Sequence, residues 1–170
     1  MGSLVNKFAI GILILSIIAS SFSCKLKKQP TSADLNKQRS QLQYIPKQLH
    51  ETYLGMPFSD FKKARMVMAE KDSNQVDFRF AFTESLEDNE IRKVTYYFDK
   101  DKNQPLYQYI IEYNSVTKLQ ELIQQKYGNR NDGNQWIFDG GEGFLIRVWT
   151  FEKTLCIAGL IKDTEWWNEK

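Results

Sequence analysis

One histidine, His50, and two cysteines, Cys24 and Cys156, are the only imidazole and thiol groups in the 170 residues. A structural zinc site takes about four Cys, His or carboxylate ligands, and the usual Cys/His set cannot be assembled here. A Ser-His or Cys-His engine would rest on His50 alone, and spacing places no partner beside it for that role. His50 therefore reads as a surface residue. Glycine is also sparse. Its one cluster, Gly140, Gly141 and Gly143, lacks the Lys-Ser/Thr of a phosphate loop and is not followed by a helical pattern, so it reads as a hairpin turn. The chain lacks a membrane-length apolar run as well. Residues 8–19 are apolar apart from Ser16, well short of the roughly 20 residues needed to span the hydrocarbon.

That short run follows Lys7 and ends in Ser20, Ser21 and Ser23, the layout of an export signal. At its end, Ser21-Phe22-Ser23-Cys24 resembles the lipobox of bacterial lipoproteins, with Ser23 and Cys24 as its matching residues. The resemblance implies removal of residues 1–23, lipidation of Cys24 as the new N-terminus, and a place in the cell envelope, at the outer membrane or the periplasmic face. Cleavage after Ala19-Ser20-Ser21, giving a soluble exported chain, is the alternative. Cys156 lies in an apolar, strand-like run and reads as a small buried hydrophobe. A Cys24–Cys156 disulfide would tie a tether into a core strand and is not expected.

Charge divides the exported chain. Residues 25–47 hold six basic residues against Asp34 alone, whereas the residues beyond them hold 16 basic and 20 acidic. The folded part thus lacks the basic patch of a nucleic-acid binder. The basic stretch is polar, contains Pro30, and reads as a tether over residues 24–43. Each of its cations near anionic headgroups adds about 1 kcal/mol of attraction, which together with acyl chains gives the two signals that stable anchoring needs. A flexible coil of that length holds the domain roughly 25 Å from its anchor.

A single domain is expected over residues 44–170. Leu54-Gly55-Met56-Pro57 reads as a turn, and Ser59 as the N-cap of a helix with Phe61, Ala64, Val67 and Met68 on one face, ending before Asp72. Val76, Phe78, Phe80 and Phe82 then alternate with polar residues, the signature of a strand against a core. An acidic loop over 84–90 leads to strands over 93–98 and 106–113, joined by a turn at 99–105. Ser115 or Asn114 caps a second helix bearing Val116, Leu119, Leu122, Ile123 and Tyr127, which Gly128 stops. Strands over 135–139, 144–151 and 155–161 close the chain. The order α-β-β-β-α-β-β-β predicts an α+β fold, with an antiparallel sheet of about six strands and both helices packed on one face.

Little here suggests catalysis. Asp99, Asp101 and Asn103 imitate a calcium loop, yet Gln104 stands where Gly is needed and Ile110 where the bidentate Glu belongs. Glu84, Glu87, Asp88 and Glu90 are candidates for a hydrolytic carboxylate pair, but a solvated loop explains them more simply. Helices on one face leave the other face of the sheet exposed and aromatic. Tyr97, Leu145, Trp149 and Phe151 are the candidate binding residues there, unless the tether, the Trp166-Trp167 tail or a second copy covers them.

The stretch 54–61, Leu-Gly-Met-Pro-Phe-Ser-Asp-Phe, resembles the helix opening of small envelope lipoproteins, including outer-membrane-assembly accessory lipoproteins of the BamE type. Lys126-Tyr127-Gly128 followed by Trp136 fits the same style, and helix-plus-sheet inhibitor proteins are an equal architectural match. The resemblance implies a protein that binds protein partners without cofactor, metal or catalytic residues. A carrier of a small apolar or lipid ligand between sheet and helices is the alternative, and a weak carboxylate hydrolase a third. The lipoprotein reading is checked by the intact mass of the membrane-recovered chain. A diacylglyceryl mass on Cys24 is expected, lost together with membrane attachment in Cys24→Ala.

Overall fold

Pro57 has a fixed backbone and a carbonyl free to accept, and the amides of Asp60 (2.9 Å) and Phe61 (3.1 Å) both donate to it. This starts helix α1, Phe58–Arg65, so Ser59 lies inside the first turn rather than at the expected N-cap. The protein's computed structural model describes residues 41–65, 70–71, 79–100, 103–141 and 143–161. The expected signal peptide, Cys24, the tether up to residue 40, Val67, Met68, Val76, Phe78, Asp101 and Trp166-Trp167 lie outside the described residues.

After α1 come β1 (Glu70–Lys71), β2 (Arg79–Ser85), β3 (Ile91–Asp99), β4 (Leu106–Tyr113), helix α2 (Val116–Lys126), β5 (Gln135–Asp139), β6 (Phe144–Phe151) and β7 (Thr154–Ile161). The strands form one sheet in the order β1-β2-β3-β4-β7-β6-β5, with every pairing antiparallel. The α+β class and the antiparallel sheet match the expectation. To the six longer strands the chain adds β1, which pairs Glu70 with Thr83 and Lys71 with Phe82. A strand of two residues is too short to carry a period. The β4–β7 pairing joins the two meanders at the centre of the sheet.

Cross-strand pairing fixes which side chains share a face. Phe82 lies opposite Tyr96, Tyr96 opposite Tyr109, Tyr109 opposite Ile157, Ile157 opposite Val148, and Val148 opposite Trp136. All six are buried and form the core face. Phe58 and Phe61 of α1 complete an aromatic cluster on it. The Phe58 ring is 5.2 Å from that of Phe82 and 5.0 Å from that of Phe98, and the Phe61 ring is 4.8 Å from Tyr96 and 4.9 Å from Phe98. Each such pair contributes about 0.5–1.5 kcal/mol beyond its buried area.

At the other end of the core face, Tyr127, the C-cap of α2, packs on Trp136 at 5.6 Å. Ser115 caps α2 as expected, accepting from the Thr117 amide at 3.2 Å, and Gly128 follows the helix at φ 65°. The segment before α1 also joins the core. Tyr44 stacks on Phe138 at 4.2 Å, its carbonyl accepts from the Tyr127 hydroxyl at 2.6 Å, and Gln41 is already buried. Between β5 and β6, a Cβ on Gly140 would stand 2.1 Å from the Phe144 ring, so only glycine fits that turn.

Phe61 is fully buried among four aromatic rings. Phe61→Ala is expected to cost about 3–5 kcal/mol, read from the midpoint of urea unfolding followed by circular dichroism.

Candidate functional site

The second face of the sheet is built from the residues that alternate with the core. Ala81 lies opposite Tyr97, Tyr97 opposite Gln108, Gln108 opposite Ala158, and Ala158 opposite Arg147. On β6 the same face carries Leu145, Trp149 and Phe151, opposite Leu160, Cys156 and Thr154. All four expected residues therefore share one face. They do not form one cluster. Three strand spacings separate Tyr97 from β6, about 14 Å, and Leu145 and Trp149 are about 13 Å apart along the strand.

Phe151 is 68% exposed, while Tyr97, Leu145 and Trp149 are half-buried. Tyr97 belongs to its own group, with the Arg79 guanidinium 4.8 Å over its ring and the buried Tyr107 ring 6.4 Å away. The residue that sequence reasoning missed at the centre is Arg147, two positions before Trp149. Arg147 and Trp149 together line two neighbouring recesses. One, of about 220 Å³, is completed by Tyr107, Gln108, Ala158 and Leu160. The other, of about 490 Å³, is completed by Asp132, Gly133, Asn134, Gln135 and Thr150. The signal was available, since Arg147 keeps the period of two that selected Leu145 and Trp149.

Near Phe151, Glu112 gathers three cations: Lys153 at 2.9 Å, Arg92 at 3.0 Å and Lys93 at 3.7 Å. The hydrogen bond from Lys153, with the added pull of the other cations, holds the Glu112 carboxyl below its ordinary range. The outer edge of β5 is closed by a side chain. The Asn131 amide nitrogen donates to the Ile137 carbonyl and its oxygen accepts from the Ile137 amide, both at 2.8 Å.

Of the acidic segment, Glu87 and Glu90 are exposed in the loop as expected, and Glu84 is the residue that departs from that reading. Glu84 lies in β2, 1% exposed, and continues the inward alternation of Phe80 and Phe82. Arg65, at the end of α1, donates to both of its oxygens, Nε at 3.1 Å and Nη2 at 2.8 Å, and the Tyr96 hydroxyl donates at 2.8 Å. Burial, and then the field of Glu84, push the Tyr96 hydroxyl well above its ordinary pKa. Asp88 accepts from the amides of Glu90 (2.7 Å) and Ile91 (2.9 Å) and so caps the loop; the Ile91 bond, with that of Glu90, holds its carboxyl low. Of the four candidate carboxylates, Glu84 therefore points into the core and Asp88 turns to the backbone.

His50 is exposed, with Nε2 3.0 Å from the Ile45 carbonyl. Cys156 is buried, which pushes its thiol up to about 11. Among the described residues no group of three or more His, Cys, Asp or Glu is placed to hold a metal, and no helix is long and apolar enough to cross a membrane. No family model, curated protein or solved structure matches the chain.

Arg65→Met leaves the Glu84 carboxylate buried without its partner and is expected to cost about 3–5 kcal/mol. Arg65→Met with Glu84→Leu should cost less than either single change, and a denaturant double-mutant cycle reads that coupling.

Proposed function

We propose that the chain is a non-catalytic, lipid-anchored cell-envelope protein, attached through Cys24 and the basic tether, whose domain docks a protein partner on the second face of its sheet. The observation that carries this reading is the Arg147–Trp149 pair between two recesses, on the face that also bears Tyr97, Leu145 and Phe151. Trp, Tyr and Arg are the side chains that most often anchor interfaces. Docking on the face is favoured over addition of a strand, because the Asn131 amide already satisfies Ile137 at the β5 edge. The likeness of residues 54–61 to small envelope lipoproteins points the same way.

We also infer that both helices cover the core face. Phe61 against Tyr96 and Phe98, and Tyr127 against Trp136 and Phe138, support that placement. A carrier of apolar ligands between sheet and helices is less well supported, since aromatic side chains fill that space around Phe58 and Phe61. A hydrolase finds no support in the diverging Glu84 and Asp88.

A photo-reactive residue placed at Leu145, Trp149 or Phe151 in cells is expected to give a discrete protein adduct. The same residue at Lys62, exposed on α1, should give none. Equal adducts at Lys62 would remove the face-specific reading.

A further inference from the structure

A third recess, of about 330 Å³, is lined by side chains from α2, from the segment before α1, from the loop that precedes β3 and from the end of β4, Lys47, Glu90, Tyr113, Lys118, Glu121 and Lys126 among them. Two of these groups have an unmet requirement. Tyr113 is 2% exposed, and among the described residues its hydroxyl has no hydrogen-bond partner. A buried hydroxyl in that state is costly. Burial, and then the fields of Glu90 and Asp88, raise its pKa well above the ordinary value, so it is a neutral hydroxyl in a negative surround. Lys126 is half-buried and donates from Nζ to the Ile45 carbonyl at 2.8 Å. Burial draws its pKa down, and among the described residues no carboxylate is paired with it.

The remaining charges have partners. Lys118 is 3.0 Å from Glu121 and also feels Glu90, Lys47 bears on Asp88, and the Gln48 amide reaches Asp88 at 3.3 Å and Glu90 at 3.4 Å. The recess is thus polarised, negative where Glu90 and Asp88 act on Tyr113 and positive at Lys126. A simple anion would meet Glu90 and Glu121, and a simple cation would meet Lys126. A molecule carrying both charges satisfies each end.

We propose that this recess binds a small zwitterion of the α-amino acid class, its carboxylate on Lys126 Nζ and its ammonium between the Glu90 carboxylate and Tyr113 Oη. Glu90 is the exposed member of that pair and Tyr113 the buried one, so the ammonium enters from the Glu90 side. The site is independent of the docking face.

The test is a nuclear magnetic resonance titration of the mature chain with glycine at up to about 50 mM, beside N-acetylglycine, which lacks the ammonium, and glycinamide, which lacks the carboxylate. Glycine is expected to shift the Lys126 and Tyr113 signals saturably, with each control at least tenfold weaker. Lys126→Met and Glu90→Gln should each weaken glycine at least tenfold. Tyr113→Phe, which removes only the hydroxyl, should weaken it as well. Equal responses to the three compounds, no response to glycine, or a response unchanged in Lys126→Met and Glu90→Gln overturns the proposal. If a variant does not fold, the three compounds on the unaltered chain decide it.

Discussion

The contact on which the rest depends is the two-pronged bond from Arg65 to Glu84. A carboxylate pointing into an aromatic core is unfavourable unless it is paired, and only one cation in the described core is placed to pair it. The net gain of such a bridge is small, since desolvation offsets most of the attraction. Its effect lies in excluding alternatives. A helix rotated by one residue, or a strand slipped by one, would leave a buried charge alone. The driving force comes from Phe58 and Phe61 against Phe82, Tyr96 and Phe98, and rings of similar shape could pack in several ways. The ion pair and the Tyr96 hydroxyl select one of them.

Residues whose role followed from periodicity stand largely where the pattern puts them, Val116 excepted, which is 47% exposed rather than on the packed face of α2. The alternation of Phe80 and Phe82, the helical spacing of Leu119, Leu122 and Ile123, the Ser115 cap and the Gly128 stop are local signals, and each appears where the pattern puts it. Glu84 was legible by the same rule, since it occupies the next inward position after Phe82. Its charge argued for solvent, and only the presence of Arg65 on the helix above reverses that argument. The register that places Tyr97 and Trp149 on one face follows from alternation, whereas the three strand spacings, about 14 Å, between Tyr97 and the strand of Trp149 follow from strand order, which no local pattern encodes. The recess around Tyr113 is assembled from Lys47, Glu90 and Lys126, which are far apart in the chain. Nothing in any one segment announces it.

The two faces of the sheet divide the chemistry. On the core face, ring contacts and one satisfied ion pair leave little polar surface. On the other, arginines and carboxylates alternate with Tyr97, Trp149 and Ile110, and the strands stay partly open. A sheet seven strands wide can afford this only because its centre, β4 and β7, is held from the core side by Tyr109 and Ile157.

The side-chain amide of Asn131 imitates one peptide unit of a strand that is not there. At the opposite margin, β1 covers part of β2 with two residues and ends in the exposed Lys71. Sheets grow by copying their margins, and a margin closed by a false peptide gives the next chain no template. An incoming strand at that margin meets a side-chain amide, and not an open peptide, at Ile137.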